Sequence, residues 1–443
     1  PVAPLNPDMA EESLLIASSS IDTGIGCWNL QSGIEKLRYK TCSSPSHGLT
    51  CLGHNFIASS QARDSQASFG SITFWSRPKA QVETKSFPEE PINPIVANTE
   101  GTFLFGGGVS GHIYVWEVAT GRLLRKYRGH YRAVTCLIFN SDESLVISGS
   151  DDGAIKVWSL FALFDETSKD QISYTHLHNF TEHMEGINDI TIGYGGGNSI
   201  IVSSSKDRTC KIWSISRGTM LRSIKYPSEI TSVVLHPGEH VFYAGSVDGK
   251  IYITSLHADF SSSKTQWPYI IGSLSSQSKV TCLAYECYEN LLLSGSIDGA
   301  IRAWDPVKQC VVRVFKLGNG PVSNLKVVRN SLLTNGQRYS RKQGSLLPPL
   351  AKYVTLNDEK AACDALVNLK DTCCSPTYDG CSTARMLHNQ LTQLQHNGPV
   401  SEFEVDKLKA ESSNSLRMLQ KLMSTFENLH EFCVTEILDA RTT

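Results

Sequence analysis

The chain has 443 residues, 40% hydrophobic and 19% charged, with a formal net charge of −2, which is ordinary globular composition with room for one large repeat domain plus an appendage. No run of about 18 apolar residues is present to span a membrane, and the near-neutral balance removes a bulk electrostatic footprint for nucleic acid, leaving RNA contact at most indirect or weak. The opening PVAPLNPDMAEESLLIASS lacks a basic stretch followed by an apolar core, so no secretory signal is expected there.

In chain order, related tracts recur. SSSIDTGIGCW ends at Trp28, the looser FGSITFW at Trp75, and GGGVSGHIYVW at Trp116. SGSDDGAIKVW ends at Trp158, SSSKDRTCKIW at Trp213, AGSVDGKIYIT at Thr254 and SGSIDGAIRAW at Trp304. Seven copies at intervals of 41 to 55 residues carry the signature of WD40 repeats. The expected fold is therefore all-β, a seven-bladed WD40 β-propeller with a C-terminal helical, coiled-coil-like extension. The expected divisions are an N-terminal extension over 1–12, the propeller over 13–336, a flexible linker over 337–382 and the helical segment over 383–440.

The fourth copy is the clearest. Ala133–Asn140 alternates apolar and polar residues as a strand does, Ser144–Ser148 and Ala154–Leu160 follow, and Asp152-Gly153 makes the tight turn between them. A more polar strand such as Arg122–Arg128 completes the preceding blade. The chain enters at Leu14–Ser18 on a second strand, so blade 1 lacks its innermost one. After blade 7's outer strand, Cys310–Lys316, the tract GPVSNLKVV over 320–328 resembles such a strand and is expected to close the ring there.

Recurring polar residues match a buried hydrogen-bonded chain within the blade: His130, Ser148, Asp152 and Trp158 in blade 4, His183, Asp207 and Trp213 in blade 5, and Asp298 and Trp304 in blade 7. Asp lies six residues before Trp in each of these, and at Asp22 before Trp28. No nucleophile recurs beside the His and Asp residues, so they read as structural. The copies decay at Thr254, at Ser278-Lys279 and in an expanded hairpin, Gln61–Phe69, where loops are the better candidates for function.

The thirteen cysteines form no disulfide framework. Cys136, Cys210, Cys282 and Cys310 fall inside apolar strand patterns, as small buried hydrophobes of a reducing compartment do. Gln337–Leu350 carries three cations, no acid and a proline pair, and reads as an exposed linker. Cys363, Cys373, Cys374 and Cys381 match no zinc spacing. No P-loop, HExxH or GxSxG motif is present. Catalytic, cofactor-binding and metal residues are accordingly expected to be none, and the chain is read as a non-enzyme.

Beyond residue 382, Leu387, Leu391 and Leu394 alternate by three and four, and after a break at Gly398-Pro399 Leu408, Leu419, Leu422, Phe426 and Leu429 keep a heptad register. This stripe is the expected partner-helix interface, through pairing with another chain or self-association.

The run AIKVWSLFALFD, the insertion over 166–181 and HMEGINDITIGYGGGNSIIVSSSKDRTCKIW resemble the WD-repeat subunit of the rixosome-type large-ribosomal-subunit assembly complex. HPGEHVFYAGSVDGKIYI and GHYRAVTCLIFNSDESLVISGS are similar to plant, root-initiation-defective members of that family. The resemblance implies a nuclear, nucleolar or nucleoplasmic, non-catalytic scaffold in pre-60S assembly and internal transcribed spacer processing. It implies partnership with a helical-repeat scaffold subunit and with the pre-60S particle and a midasin-type AAA ATPase. The alternative is a substrate-receptor propeller of a ubiquitin ligase, which would want Arg two positions after the blade Trp. Ser159-Leu160, Ser214-Ile215 and Asp305-Pro306 follow instead.

Overall fold

Short strands, most of them separated by turns of three to five residues, dictate the architecture. In the computed structural model, which describes residues 12–353 apart from 22, 54, 62–69, 78–80, 165–175, 257–268 and 331–346, they form seven antiparallel four-stranded sheets. Blade 4 runs from Val134–Phe139 at the axis through Leu145–Ser150 and Ile155–Ser159 to His178–Phe180 at the rim. The turn Asp152-Gly153 places Gly153 at φ +79°, where a side chain would be strained.

Ring closure mixes the two ends of the propeller. Val322–Asn330 pairs with Glu12–Ser19 as the innermost strand of blade 1, with Leu325 opposite Ala17 and Val327 opposite Leu15. The closure inferred from GPVSNLKVV is the one observed.

The apolar core is not central. It is divided into seven wedges, each between neighbouring blades, such as Val146 and Trp158 of blade 4 against Phe105 and Val115 of blade 3. Gly106 and Gly107 of blade 3 stand where larger residues would collide with the Trp116 ring and with Val134, so the glycine triplet is a packing feature rather than a phosphate cradle.

Three sequence expectations are corrected. Leu160 does not extend the strand ending at Ser159 but begins a helical turn, Leu160–Phe164, whose Leu163 and Phe164 are buried against blade 3. Cys310 is exposed, because it begins the outermost strand of its blade, which shows most of its residues to solvent. Leu347 and Leu350 are each only 6% exposed, packed in the wedge between blades 2 and 3. This part of the expected linker is a strap, and the propeller unit extends past residue 336.

Candidate functional site

In blade 4 the Trp158 indole N–H donates to Ser148 Oγ at 2.9 Å, Ser148 lies 2.7 Å from His130 Nε2, and His130 Nδ1 lies 3.2 Å from Asp152. Asp152 also accepts the backbone N–H groups of Tyr131 and Ala154, tying two loops together. Blade 5 repeats the chain through Trp213, Ser203, His183 and Asp207 at 2.8 to 2.9 Å.

The order Ser–His–Asp matches that of a hydrolase triad, but the surroundings oppose that chemistry. Ser148 and Ser203 are fully buried, and each hydroxyl already accepts the Trp N–H while facing the His. No substrate carbon can reach either oxygen. Burial lowers the His130 pKa against the raising effect of Asp152, favouring the neutral ring. Burial alone would raise Asp152, but hydrogen bonds from His130 and from the backbone of Ala154 and Tyr131 outweigh it and hold the carboxyl well below its ordinary range. Asp207 is lowered in the same way by His183 and Thr209 against its own burial. The chain is a satisfied polar strut inside a β core.

Blades 6 and 7 solve the same problem with other residues. In blade 7 Trp304 donates to Ser294 at 2.8 Å, but Arg302 replaces the histidine, pairing with Asp298 at 2.8 Å and donating to Ser296 at 2.7 Å. In blade 6 Tyr226 stands four residues before the inner strand Ile230–Leu235, as His130 does before Val134–Phe139. Its hydroxyl meets Thr254 Oγ1 at 2.7 Å, and both residues are buried. A long Tyr with a short Thr fills the space of a His with a Trp. Thr254 is thus half of a compensated pair rather than a defect.

The seams between blades carry a feature not read from the sequence. One position of the outer strand holds Arg125, Arg222 and Arg313 in blades 3, 5 and 7. Each guanidinium donates to a backbone carbonyl of the next blade, of Leu163, Leu256 and Leu30 respectively. Blade 2 has Thr84 there, and the strap bridges that seam instead. Thr84 donates to Leu347 O at 2.6 Å, Leu350 N to Ser86 Oγ at 2.9 Å, and Ala351 N to Gly121 O at 2.7 Å. Trp116 donates to Ala351 O at 3.0 Å. A Cβ on Gly121 would lie 2.5 Å from Pro349 O, so the strap needs glycine there. The apolar spacing of Leu347 and Leu350 was the available signal, masked by the proline pair.

At the axis, Asp189 occupies the strand position that carries Cys136 in blade 4 and Cys282 in blade 7. Burial raises its pKa, while His47 and the backbone N–H groups of Val233 and Ile190 lower it. His47 of blade 2 lies 3.5 Å from this carboxylate of blade 5 and 3.2 Å from Asn188 O, a contact across the centre of the ring.

Leu387, Leu391, Leu394, Leu408, Leu419, Leu422, Phe426 and Leu429 lie outside the described residues, as do Cys363, Cys373, Cys374 and Cys381, Asp22, the hairpin over 62–69 and most of the 166–181 insertion.

The family model "WD domain, G-beta repeat" matches residues 121–159, 174–214, 218–255 and 269–305. The chain is similar to Protein ROOT INITIATION DEFECTIVE 3 of Arabidopsis thaliana, 46% identical over 96% of this chain and 98% of the relative. It is similar to WD repeat-containing protein 18 of Bos taurus, 30% identical over 67% of this chain and 68% of the relative. It is also similar to Pre-rRNA-processing protein crb3/ipi3 of Schizosaccharomyces pombe, 27% identical over 73% and 80%. Among solved structures, the computationally designed Ika8 protein shares the fold, with TM-score 0.52 and 24% identity over 71% of this chain and 89% of that one.

Proposed function

The chain belongs to the WD-repeat family of WD repeat-containing protein 18 and the pre-rRNA-processing protein ipi3, and from that premise we propose that it is a non-catalytic protein-interaction scaffold in nuclear assembly of the large ribosomal subunit. The observation that carries this reading is the full-length similarity to a relative in the same family as proteins whose name is pre-rRNA processing. The propeller supports it physically. Its recurrent Ser, His and Asp residues are committed to internal hydrogen bonds, which leaves the outer surfaces for binding. The proposed partners are a helical-repeat subunit of the same complex, the pre-60S particle and a midasin-type AAA ATPase. The segment 383–440 is proposed as the helical arm for pairing or self-association. The proposed residence is the nucleolus and nucleoplasm. Affinity purification of the full chain from nuclear extract, read by mass spectrometry, tests it. Co-purifying pre-60S proteins are expected, whereas recovery of ubiquitin-ligase adaptors in their place would overturn the reading.

A further inference from the structure

The axis of the ring carries a repeating latch that blade 2 breaks. Asn188, Thr231 and Thr281 stand two residues before Ile190, Val233 and Leu283, the inner-strand residues that pair with Ser203, Ala244 and Ser294. Each donates from its side chain to a backbone carbonyl of the next blade, that of Ile230 at 2.8 Å, of Val280 at 2.7 Å and of Val322 at 2.5 Å. In blade 2 the same place, two residues before Leu49 opposite Ser59, holds His47. Its ring reaches blade 5 instead.

His47 sits at φ +58°, a left-handed conformation that is uncommon for a residue with a side chain and persists only where the surroundings hold it. Here it is held at both ends. His47 O accepts the Ile95 N–H of blade 3 at 2.9 Å. A carbonyl only accepts, so Nε2 carries its hydrogen and donates it to Asn188 O at 3.2 Å, with Asp189 Oδ1 beside it at 3.5 Å. Asp189 is itself fixed, because Oδ1 accepts the N–H of Ile190 at 2.8 Å and Oδ2 that of Val233 at 2.9 Å. Burial raises the Asp189 pKa, and His47 is first among the groups that lower it.

Blade 2 is also the blade most in need of an outside hold. Cys42, six residues before Gly48, takes the place of His130, six before Cys136, and its thiol meets Ser59 Oγ at 3.4 Å. The Trp75 N–H and the hydroxyls of Thr73 and Ser71 are buried with no hydrogen-bond partner among the described residues, so the strut that supports blades 4 and 5 is incomplete here. The inner strand, Leu49–Leu52, has four residues, against six to nine in the other blades. We propose that the His47–Asp189 contact is a tie across the axis that holds the inner strand of blade 2 in the ring independently of its seams, so that the 347–351 strap can leave its groove without the propeller opening. A strand tied at the axis keeps its register when its outer seam loosens, because freeing it also requires breaking the contact to the far side of the ring.

Hydrogen–deuterium exchange of the full-length protein, read by mass spectrometry on peptides over 47–61, tests this. Glycine adopts φ +58° without strain, so His47→Gly relaxes the backbone while removing the ring. The expected result is exchange faster by about tenfold or more over Leu49–Leu52 and Phe56–Gln61, with the strands of blades 3 and 7 unchanged. Asp189→Asn, a change in blade 5, should produce the same acceleration in blade 2, and the two changes together no more than either alone. In the strap variant L347A/L350A the 49–52 strand should stay protected until His47→Gly is added. Blade 2 exchange that is unchanged or slower in His47→Gly overturns the proposal, as does acceleration spread evenly over all seven blades. So does an Asp189→Asn effect confined to blades 5 and 6, or a strap variant whose 49–52 strand exchanges as fast as the combination. His47→Gly alters a side chain that is 30% exposed, and it decides the matter alone where Asp189→Asn does not fold.

Discussion

Replacing Leu347 and Leu350 of the strap by alanine should loosen the seam between blades 2 and 3. Both side chains are 6% exposed and pack into the wedge that contains Leu52, Leu104 and Trp116. Truncating a buried leucine costs about 2–5 kcal/mol, and a surface-laid strap that can shift belongs at the low end, so the pair should cost about 4 kcal/mol. That sum has a ceiling. Once the strap detaches, its four hydrogen bonds, to Thr84, Ser86, Gly121 and Trp116, are lost together, and further change to it does nothing. The double variant and a chain truncated after residue 346 should therefore have the same stability. Urea unfolding followed by tryptophan fluorescence reads this, and chymotryptic cleavage around Leu350 and Tyr353 should accelerate in parallel. A double variant within about 0.5 kcal/mol of the parent, cleaved no faster, would refute the strap as a structural element.

Ser148→Ala removes a hydroxyl that serves both Trp158 and His130, leaving two buried groups unpaired at about 1–3 kcal/mol each. Combined with Ser203→Ala in blade 5 the losses in urea unfolding should add, since the two struts share no partner; marked non-additivity would count against independent struts. Because burial lowers His130 below its ordinary 6.5, the unfolded chain takes up a proton that the folded ring refuses. Its contribution is thus complete above that pH and stability falls as pH drops through it. His130→Gln should flatten this part of the pH–stability curve, and an identical slope in the variant would show the histidine to be uninvolved. Deleting 320–330 should leave Glu12–Ser19 as an open edge and drive aggregation, seen by light scattering; a soluble, fully folded product would contradict the closure.

The blades were legible because most copies of the SGS…W tract join a strand pattern to a glycine turn, as at Gly111, Gly153, Gly249 and Gly299, and both signals are local. Closure was legible too, since GPVSNLKVV over 320–328 resembles the inner strands of the other blades and stands without a blade of its own. The strap was not, because its apolar residues are two leucines flanking a proline pair, and the groove receiving them is built from distant Thr84, Ser86 and Gly121. The Arg125, Arg222 and Arg313 latches were hidden for a related reason. Their meaning depends on a carbonyl of the next blade, and an exposed-looking arginine on a polar strand carries no mark of that. The Tyr226–Thr254 exchange showed only its Thr half, as a missing Trp, until the three-dimensional pairing supplied the other. The polar struts were visible as a spacing, but their resemblance to a catalytic triad and the burial that argues against it are both properties of geometry.

Depletion of the protein followed by blot hybridisation of pre-rRNA tests the proposed work in large-subunit assembly most directly. Precursors retaining the internal transcribed spacer should accumulate while small-subunit rRNA matures normally, and the wild-type chain should restore processing. Unchanged precursor levels in depleted cells would contradict it.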